Sequence, residues 1–229
     1  MISMNSSRID LLMHSTHGVA PEASARELLL EWGLPVAPFR VALDLQQAVQ
    51  CAKEIGYPVV LKVNSPVIVH KTDAGGVHLN LKDQADLERA YLAIQQSCGK
   101  LDPAFKVMVE KMCPPGVEVI IGVSQDEQFG PVLMFGLGGI FVELFKDVAF
   151  RLIPLDEIQA REMISSIKSY PVLTGFRSKP GVDIGALQNI LTSVSELITR
   201  YPQITELDLN PVILYPDGAL IVDTRMVIQ

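Results

Sequence analysis

Between residues 65 and 77 the chain gathers Ser65, His70, Lys71, Thr72, Asp73 and the glycine pair Gly75-Gly76. A neutral imidazole is available near neutral pH and can attack a phosphoryl group through nitrogen, so His70 is a candidate nucleophile. Lys71 and the backbone amides of Gly75 and Gly76 could hold the anion. An ordinary hydrogen-bonded loop histidine fits the same residues, and the order is not that of a Walker loop. Lys62 stands in the otherwise apolar run Val59-Val60-Leu61-Lys62-Val63. Its ammonium must meet an anion, a carboxylate or solvent, because burying it alone is costly. A nucleotide phosphate and a structural ion pair both satisfy that requirement.

Toward the C-terminus, Glu206-Leu207-Asp208-Leu209-Asn210-Pro211 alternates, which puts Glu206, Asp208 and Asn210 on one side of a strand. Asp223 is placed on the neighbouring strand. Hard oxygen donors from adjacent strands suit Mg²⁺, which shares its remaining positions between water and nucleotide phosphates. A polar sheet face turned to solvent gives the same pattern. The loop Gly136-Leu137-Gly138-Gly139 leads into Ile140-Phe141-Val142-Glu143 and could present the amides of Gly138 and Gly139 to phosphate, or simply turn the chain.

The elements that would position these groups follow from periodicity. A helix is expected from Pro21 to a stop at Gly33, with Ala25, Leu28, Leu29 and Trp32 on one face. A second takes Asp44 as N-cap and ends at Gly56. A strand over 59–63, apolar on both faces apart from Lys62, reads as part of a covered sheet. A strand over 77–81, a helix capped by Asp83 and running to about 97, and a strand over 106–112 follow. The second half continues with strands over 118–123, 131–135 and 148–153, helices over 156–168 and 184–199, and strands over 206–214 and 220–224 joined by Pro216-Asp217-Gly218. Residues 1–19, rich in Ser and His, read as a flexible tail in which His14 and His17 do nothing. Residues 20–229 read as one domain, with about 20–110 as a first lobe and about 111–229 as a second.

Composition narrows the function classes. The 229 residues are 48% hydrophobic and 20% charged, as in ordinary globular proteins. A formal net charge of −7 with no run of Lys and Arg gives no general attraction for a phosphate backbone or an anionic bilayer, so no nucleic acid and no membrane partner is expected. The apolar stretches fall short of the ~20 residues a bilayer span needs, and the N-terminus lacks a signal-peptide layout, so a cytoplasmic location is expected. Cys51, Cys98 and Cys113 lack metal-ligand spacing and read as packing or surface thiols.

Several of these segments, taken in order, carry a family resemblance. Gly56-Tyr57-Pro58-Val59-Val60-Leu61-Lys62, His70-Lys71-Thr72-Asp73 with Gly75-Gly76-Val77, Gly136-Leu137-Gly138-Gly139 and Glu206-Leu207-Asp208-Leu209-Asn210-Pro211 resemble the ATP-grasp domain of ADP-forming acyl-CoA synthetases, also called NDP-forming acetate–CoA ligases. The resemblance runs from Ala20 to Ile228. It implies an α/β (α+β) ATP-grasp fold whose two lobes enclose a nucleotide cleft. The implied reaction converts acyl-CoA, ADP and phosphate to acid, CoA and ATP through an acyl phosphate and phosphohistidine, with Mg²⁺ as cofactor and ATP or ADP as substrate.

Carried over by position, the resemblance makes His70 the phosphate carrier, Lys62 a nucleotide-phosphate contact, Glu110 the hinge beside adenine and Glu118 the acid toward ribose. Asn210 and Asp223, with Asp208 as a third, become the Mg²⁺ ligands. Arg151 and Arg177 also fall in family-like segments; either could touch phosphate or pair with Asp147 or Glu143, and structural roles are favoured. The chain has no GxGxxG fingerprint and no room for a CoA-binding Rossmann domain, so a CoA-binding α subunit is the expected partner in a hetero-oligomer. Two other classes use part of the same equipment. A carboxylate–amine ligase would need the lysine and metal groups without His70, and a non-catalytic nucleotide-sensing module would bind Mg-ATP without phosphoryl exchange.

Overall fold

A computed structural model describes residues 6–65, 67–68, 71–139, 147–175 and 180–229. They form two compact units, one of Ala37–Pro114 and the other of Met1–Val36 with Pro115–Gln229. The expected break near residue 110 is close to one crossing between them, but the N-terminal residues join the C-terminal half. Strand pairing is the reason: Gly18 and Val19 pair with Ile228 and Val227, and Val36 bridges to Ile221.

The N-terminal residues are more ordered than a tail. Helix α1 (Ser6–Ser15) buries Ile9 and Met13, and strand β1 (Gly18–Val19) leads into helix α2 (Glu22–Glu31). One i, i+4 apolar pair is too short a period to read in a Ser- and His-rich segment. Helix α2 closes with Gly33 at φ +87°, and Leu34 N–H returns to the Leu29 carbonyl at 2.9 Å, a left-handed cap that a side chain would strain.

The Ala37–Pro114 unit contains β2 (Phe39–Ala42), α3 (Leu45–Ile55), β3 (Val59–Asn64), β4 (Val77–Leu81), α4 (Gln84–Cys98) and β5 (Lys106–Lys111). Its antiparallel sheet runs β2-β5-β3-β4. Asp44 and Asp83 start the two helices as expected, accepting from Gln47 and Asp86 N–H at 2.8 Å each. Both helices lie on one face of the sheet, where Val59, Leu61, Val63, Val107 and Val109 meet Ala48, Ala52, Leu87, Ala90 and Ile94. The alternate residues of β3, Val60 and Lys62, are also buried, so the strand is covered on both faces.

The other unit continues with β6 (Val117–Asp126), β7 (Gly130–Leu137), β8 (Val148–Leu152), α5 (Glu157–Ser166), α6 (Tyr170–Thr174), α7 (Ile184–Arg200), β9 (Ile204–Tyr215), β10 (Gly218–Ile221) and β11 (Thr224–Ile228). The sheet order is β1-β11-β9-β6-β7-β8, with β10 also on β9. Asp156 and Asp183 cap α5 and α7. One sheet face packs into the core through Val119, Ile121, Leu207 and Leu209, all essentially buried. The opposite face of β9 carries Glu206, Asp208 and Asn210, exposed or half-buried. The sequence reading ran β10 and β11 together as one strand; they are separate, because β9 pairs with β10 along Val212–Tyr215 and with β11 along Ile204–Leu209.

Candidate functional site

Lys62 and Glu110, given separate duties by the resemblance, are partners. They project from the same face of β3 and β5, and Lys62 Nζ lies 3.2 Å from Glu110 Oε2 with side chains 5% and 0% exposed. Of the destinations open to a buried ammonium, the structure selects a carboxylate. Such a pair resists removal of either member, since the survivor would be a lone buried charge.

The His70 loop is only partly available: Pro66, Val69 and His70 lie outside the described residues, and so does Arg177. Lys71, Gly75 and Gly76 are placed. Gly75 N–H donates to the Thr72 carbonyl at 3.0 Å and Gly76 N–H to the Lys71 carbonyl at 2.7 Å. The expectation that this glycine pair offers free amides to an anion is therefore corrected: both amides close the loop on itself. Gly75 supplies a φ of +67°, and a Cβ on Gly76 would come within 2.4 Å of Val63 Cγ1. The pair shapes the turn that follows His70 and docks it on β3.

Glu118 and the second glycine loop, read independently from sequence, come together. Gly138 N–H donates to the Glu118 carbonyl at 2.7 Å, and a Cβ on Gly138 would meet Glu118 backbone atoms at 3.0 Å. Gly139 follows at φ +66°, its Cβ position 4.0 Å from Glu118 Oε2. These residues, with Gly116, Val117, Leu137 and Val172, line a cavity of about 290 Å³. Gly136 and Leu137 still belong to β7, so of the four-residue motif only Gly138 and Gly139 lie beyond the strand. Only glycine at 138 lets the turn lie flat on Glu118, which leaves the carboxylate at the cavity wall.

The acidic set forms where β9 changes partner. Asp223 lies between β10 and β11, not on a strand as expected, and its carbonyl accepts from Asn210 N–H at 3.2 Å. Backbone pairing thus brings Asn210 and Asp223 side by side. Asp208 is two residues along the same strand, opposite Arg225 on β11 and opposite Gly122 on β6, which adds no side chain there. Burial raises the pKa of Asp208, the Asp223 charge raises it further, and Arg225 acts against both. Arg225 is itself held by Glu206 at 2.6 Å. Among the described residues no three or more of His, Cys, Asp and Glu are grouped for a metal. The set here is two carboxylates and an amide, hard oxygen donors in the combination that suits Mg²⁺ with water and phosphate completing the shell.

Other residues make local contacts. Arg151 donates to the Phe150 carbonyl at 2.9 Å. Asp147 binds Lys168 and Ser169 backbone N–H groups. Cys98 and Cys113 are buried and Cys51 is partly so, each a free thiol. No helix among the described residues is long and apolar enough to cross a membrane.

The chain as a whole is similar to known proteins. The ATP-grasp domain family matches residues 12–228. The β subunit of acetate–CoA ligase [ADP-forming] I from Pyrococcus furiosus is 46% identical over 210 residues, covering 90% of each chain. The chain belongs to the ATP-grasp family. More narrowly, it falls in the family of ADP-forming acetate–CoA ligases, which are ligases, and is similar over 90% of its length to their β subunits. An acetate–CoA ligase [ADP-forming] I from Archaeoglobus fulgidus is 43% identical, and there the match spans 90% of this chain but 30% of the longer relative. The solved dinucleotide forming acetyl-coenzyme A synthetase 1 of Ca. Korarchaeum cryptofilum, in complex with coenzyme A and Ca-AMPCP, superposes with a TM-score of 0.91 at 41% identity over 97% of this chain and 99% of that one. The same synthetase with coenzyme A and Mg-AMPPCP, described with its phosphohistidine segment pointing towards the nucleotide binding site, gives a TM-score of 0.84, again at 41% identity over 97% of this chain and 99% of that one.

Proposed function

We propose that this ATP-grasp subunit exchanges phosphate between Mg-nucleotide and a CoA-binding α subunit, with His70 as the carrier. The observation that carries the reading is the acidic set at the β9 crossover: Asp208, Asn210 and Asp223 offer hard oxygen donors on an open sheet face. Mg²⁺ held there would offset charge on the nucleotide's phosphates. Glu118 stands at a cavity wall suited to hydrogen-bonding a ribose hydroxyl, and Lys62 is the phosphate contact, its charge fixed by Glu110 until an anion competes for it. In the direction of ATP synthesis, an imidazole nitrogen of His70 attacks the phosphoryl group carried by the α subunit: the P–N bond forms as the bond from phosphorus to that carrier breaks, the carrier leaves with the electron pair, and the ring keeps its proton on the other nitrogen. An oxygen of the ADP β-phosphate then attacks phosphorus, the P–N bond breaks, and ATP leaves with the neutral imidazole restored.

The α subunit enters because the relatives include both separate β subunits and chains in which this domain is 30% of a longer protein. Acetate is the default acid, and the working assembly is a hetero-oligomer. The test is phosphorylation by labelled Mg-ATP of wild type and His70→Asn, with and without a cognate α subunit. Acid-labile label present in wild type and lost in His70→Asn is the expected result. Equal labelling of both proteins removes His70 from the reaction.

A further inference from the structure

One carboxylate joins two parts of the lining of the Glu118 cavity. Gly136 packs so closely on the start of β8 that a Cβ there would meet Val148 Cγ1 at 2.7 Å and the Asp147 carbonyl oxygen at 2.9 Å. The residues directly after it, Leu137, Gly138 and Gly139, line the cavity. Asp147 therefore leaves this wall from a fixed point. Its carboxylate spans to the junction between α5 and α6, where Oδ1 accepts from Lys168 N–H at 2.8 Å and Oδ2 from Ser169 N–H at 2.7 Å. Two consecutive amides engaging both oxygens of one carboxylate make a strong, directional anchor.

Helix α6 begins at the next residue and supplies Val172 to the same cavity. At five residues it cannot hold itself in place by its own hydrogen bonds, so outside anchors decide where Val172 stands. Its far end is held by Val182 N–H on the Leu173 carbonyl at 2.9 Å and by Gly181, whose Cβ position is 2.7 Å from the Thr174 carbonyl oxygen. Asp147 is the side chain that holds its start.

We propose that Asp147 is a positioning residue for nucleotide binding, clamping the start of α6 to the β7–β8 pair and so setting Val172 against the Glu118–Gly139 wall. The inference rests on the reading of that cavity as part of the nucleotide site. Asparagine at 147 would keep one acceptor and turn an amide NH₂ toward the second N–H, releasing half of the clamp without changing the residue's size.

The experiment is calorimetric titration of the intact chain with Mg-ADP, for wild type, Asp147→Asn, Val172→Ala, the double variant and Glu118→Gln. Asp147→Asn is expected to bind about tenfold more weakly, the size of one lost charge-assisted hydrogen bond. The double variant should bind no more weakly than the weaker-binding of the two single variants, because the clamp acts through Val172. In the enzyme assembled with its α subunit the loss should appear in KM for ADP, with kcat at saturation within about twofold of wild type.

A folded Asp147→Asn protein that binds ADP as wild type does, while Glu118→Gln weakens binding, overturns the clamp and leaves the cavity reading intact. Fully additive losses in the double variant also overturn it. ADP affinity unchanged in Glu118→Gln as well overturns the cavity reading and the clamp together. Should Asp147→Asn fail to fold, Asp147→Glu carries the test. It keeps the charge but displaces α6 by a methylene, and wild-type affinity in that variant overturns the proposal.

Discussion

Lys62 and Glu110 are 5% and 0% exposed and neutralise one another at 3.2 Å, whereas Asp208 and Asp223 are two half-buried carboxylates, and burial together with the Asp223 charge raises the pKa of Asp208. The first arrangement is electrostatically complete in the protein alone. The second is offset in part by Arg225 near Asp208 and by Thr224 N–H, which donates to Asp223 Oδ1 at 2.8 Å, and it has room for a cation in the proposed function. In the Ala37–Pro114 unit charge is enclosed by sheet and side chains, so its loss should register as instability. At the β9 crossover charge is left facing outward, so its loss should register in metal-dependent turnover and hardly at all in folding.

The sharpest break of that contrast is Lys62→Met. It leaves Glu110 charged and buried and should cost about 3 to 5 kcal/mol of unfolding free energy, while Lys62→Met combined with Glu110→Met should recover most of it. Chemical denaturation of the two proteins checks this. An equal loss in both would mean that packing, and not the stranded charge, sets the cost. The double variant should still bind Mg-ADP poorly, separating the stability role of the pair from its proposed phosphate contact.

Asp223→Asn probes the other side. Turnover with the α subunit should fall by on the order of a hundredfold or more, as when a preorganised electrostatic stabiliser is removed. Stability without metal should stay within about 1 kcal/mol of wild type, because losing the like charge beside Asp208 opposes weakening of the hydrogen bond from Thr224 N–H to Asp223 Oδ1. Chelation of Mg²⁺ from the wild type should reproduce the loss of turnover. A variant that loses stability in parallel with activity would erase the distinction between the two regions.

The smallest effect concerns Asp147, which shares features of both. Burial works to raise its pKa, but the donors of Ser169 and Lys168, with the Lys168 charge, outweigh it and hold the carboxyl below the usual range. Because the folded value lies below the unfolded one, this contribution is present above the unfolded carboxylate pKa and is lost as pH falls through the folded one. Asp147→Asn should therefore be less stable than wild type by about 1 kcal/mol at neutral pH, the usual size of a lost cap, with the gap closing as the solution is acidified below the ordinary carboxylate range. A gap that does not change with pH would assign the effect to shape.

Most regular elements could be read before any coordinates. Asp44, Asp83 and Gly56 mark ends found where short side chains and a left-handed glycine place them, and the apolar run around Lys62 announced a doubly covered strand. Helix α1, strand β2 and helix α6 were not legible. Strand β2 and helix α6 are short, and α1 shows one apolar i, i+4 pair in a Ser- and His-rich segment, so none carries a period long enough to read. The separation of β10 from β11 was missed for a similar reason, since it depends on β9 changing partner at Asn210 and Pro211.

Candidate site residues divide along the same line. Alternation alone put Glu206, Asp208 and Asn210 on one face, because a strand's period of two is a local property. That Asp223 joins them from a connection between strands is a property of the sheet. Sequence could say that Lys62 needed an anion, but which one depended on the β3–β5 register that sets Glu110 beside it. It could flag Gly75-Gly76 and Gly138-Gly139 equally; the fold spends the first pair's amides on their own turn and the Gly138 amide on the Glu118 carbonyl, so, contrary to expectation, Gly138 does not offer its N–H to phosphate. Asp147 was visible only as a possible arginine partner and Val172 not at all, since the amides one binds and the cavity the other lines are assembled from distant segments. The family came from the resemblance of whole motifs, whereas residue chemistry and periodicity determined the polar face of β9 and the need of a buried lysine for a partner, because these depend on side-chain type and local repeat. Tertiary structure decided which charges meet and which stay open, because that depends on strand register and on contacts between residues far apart in the chain.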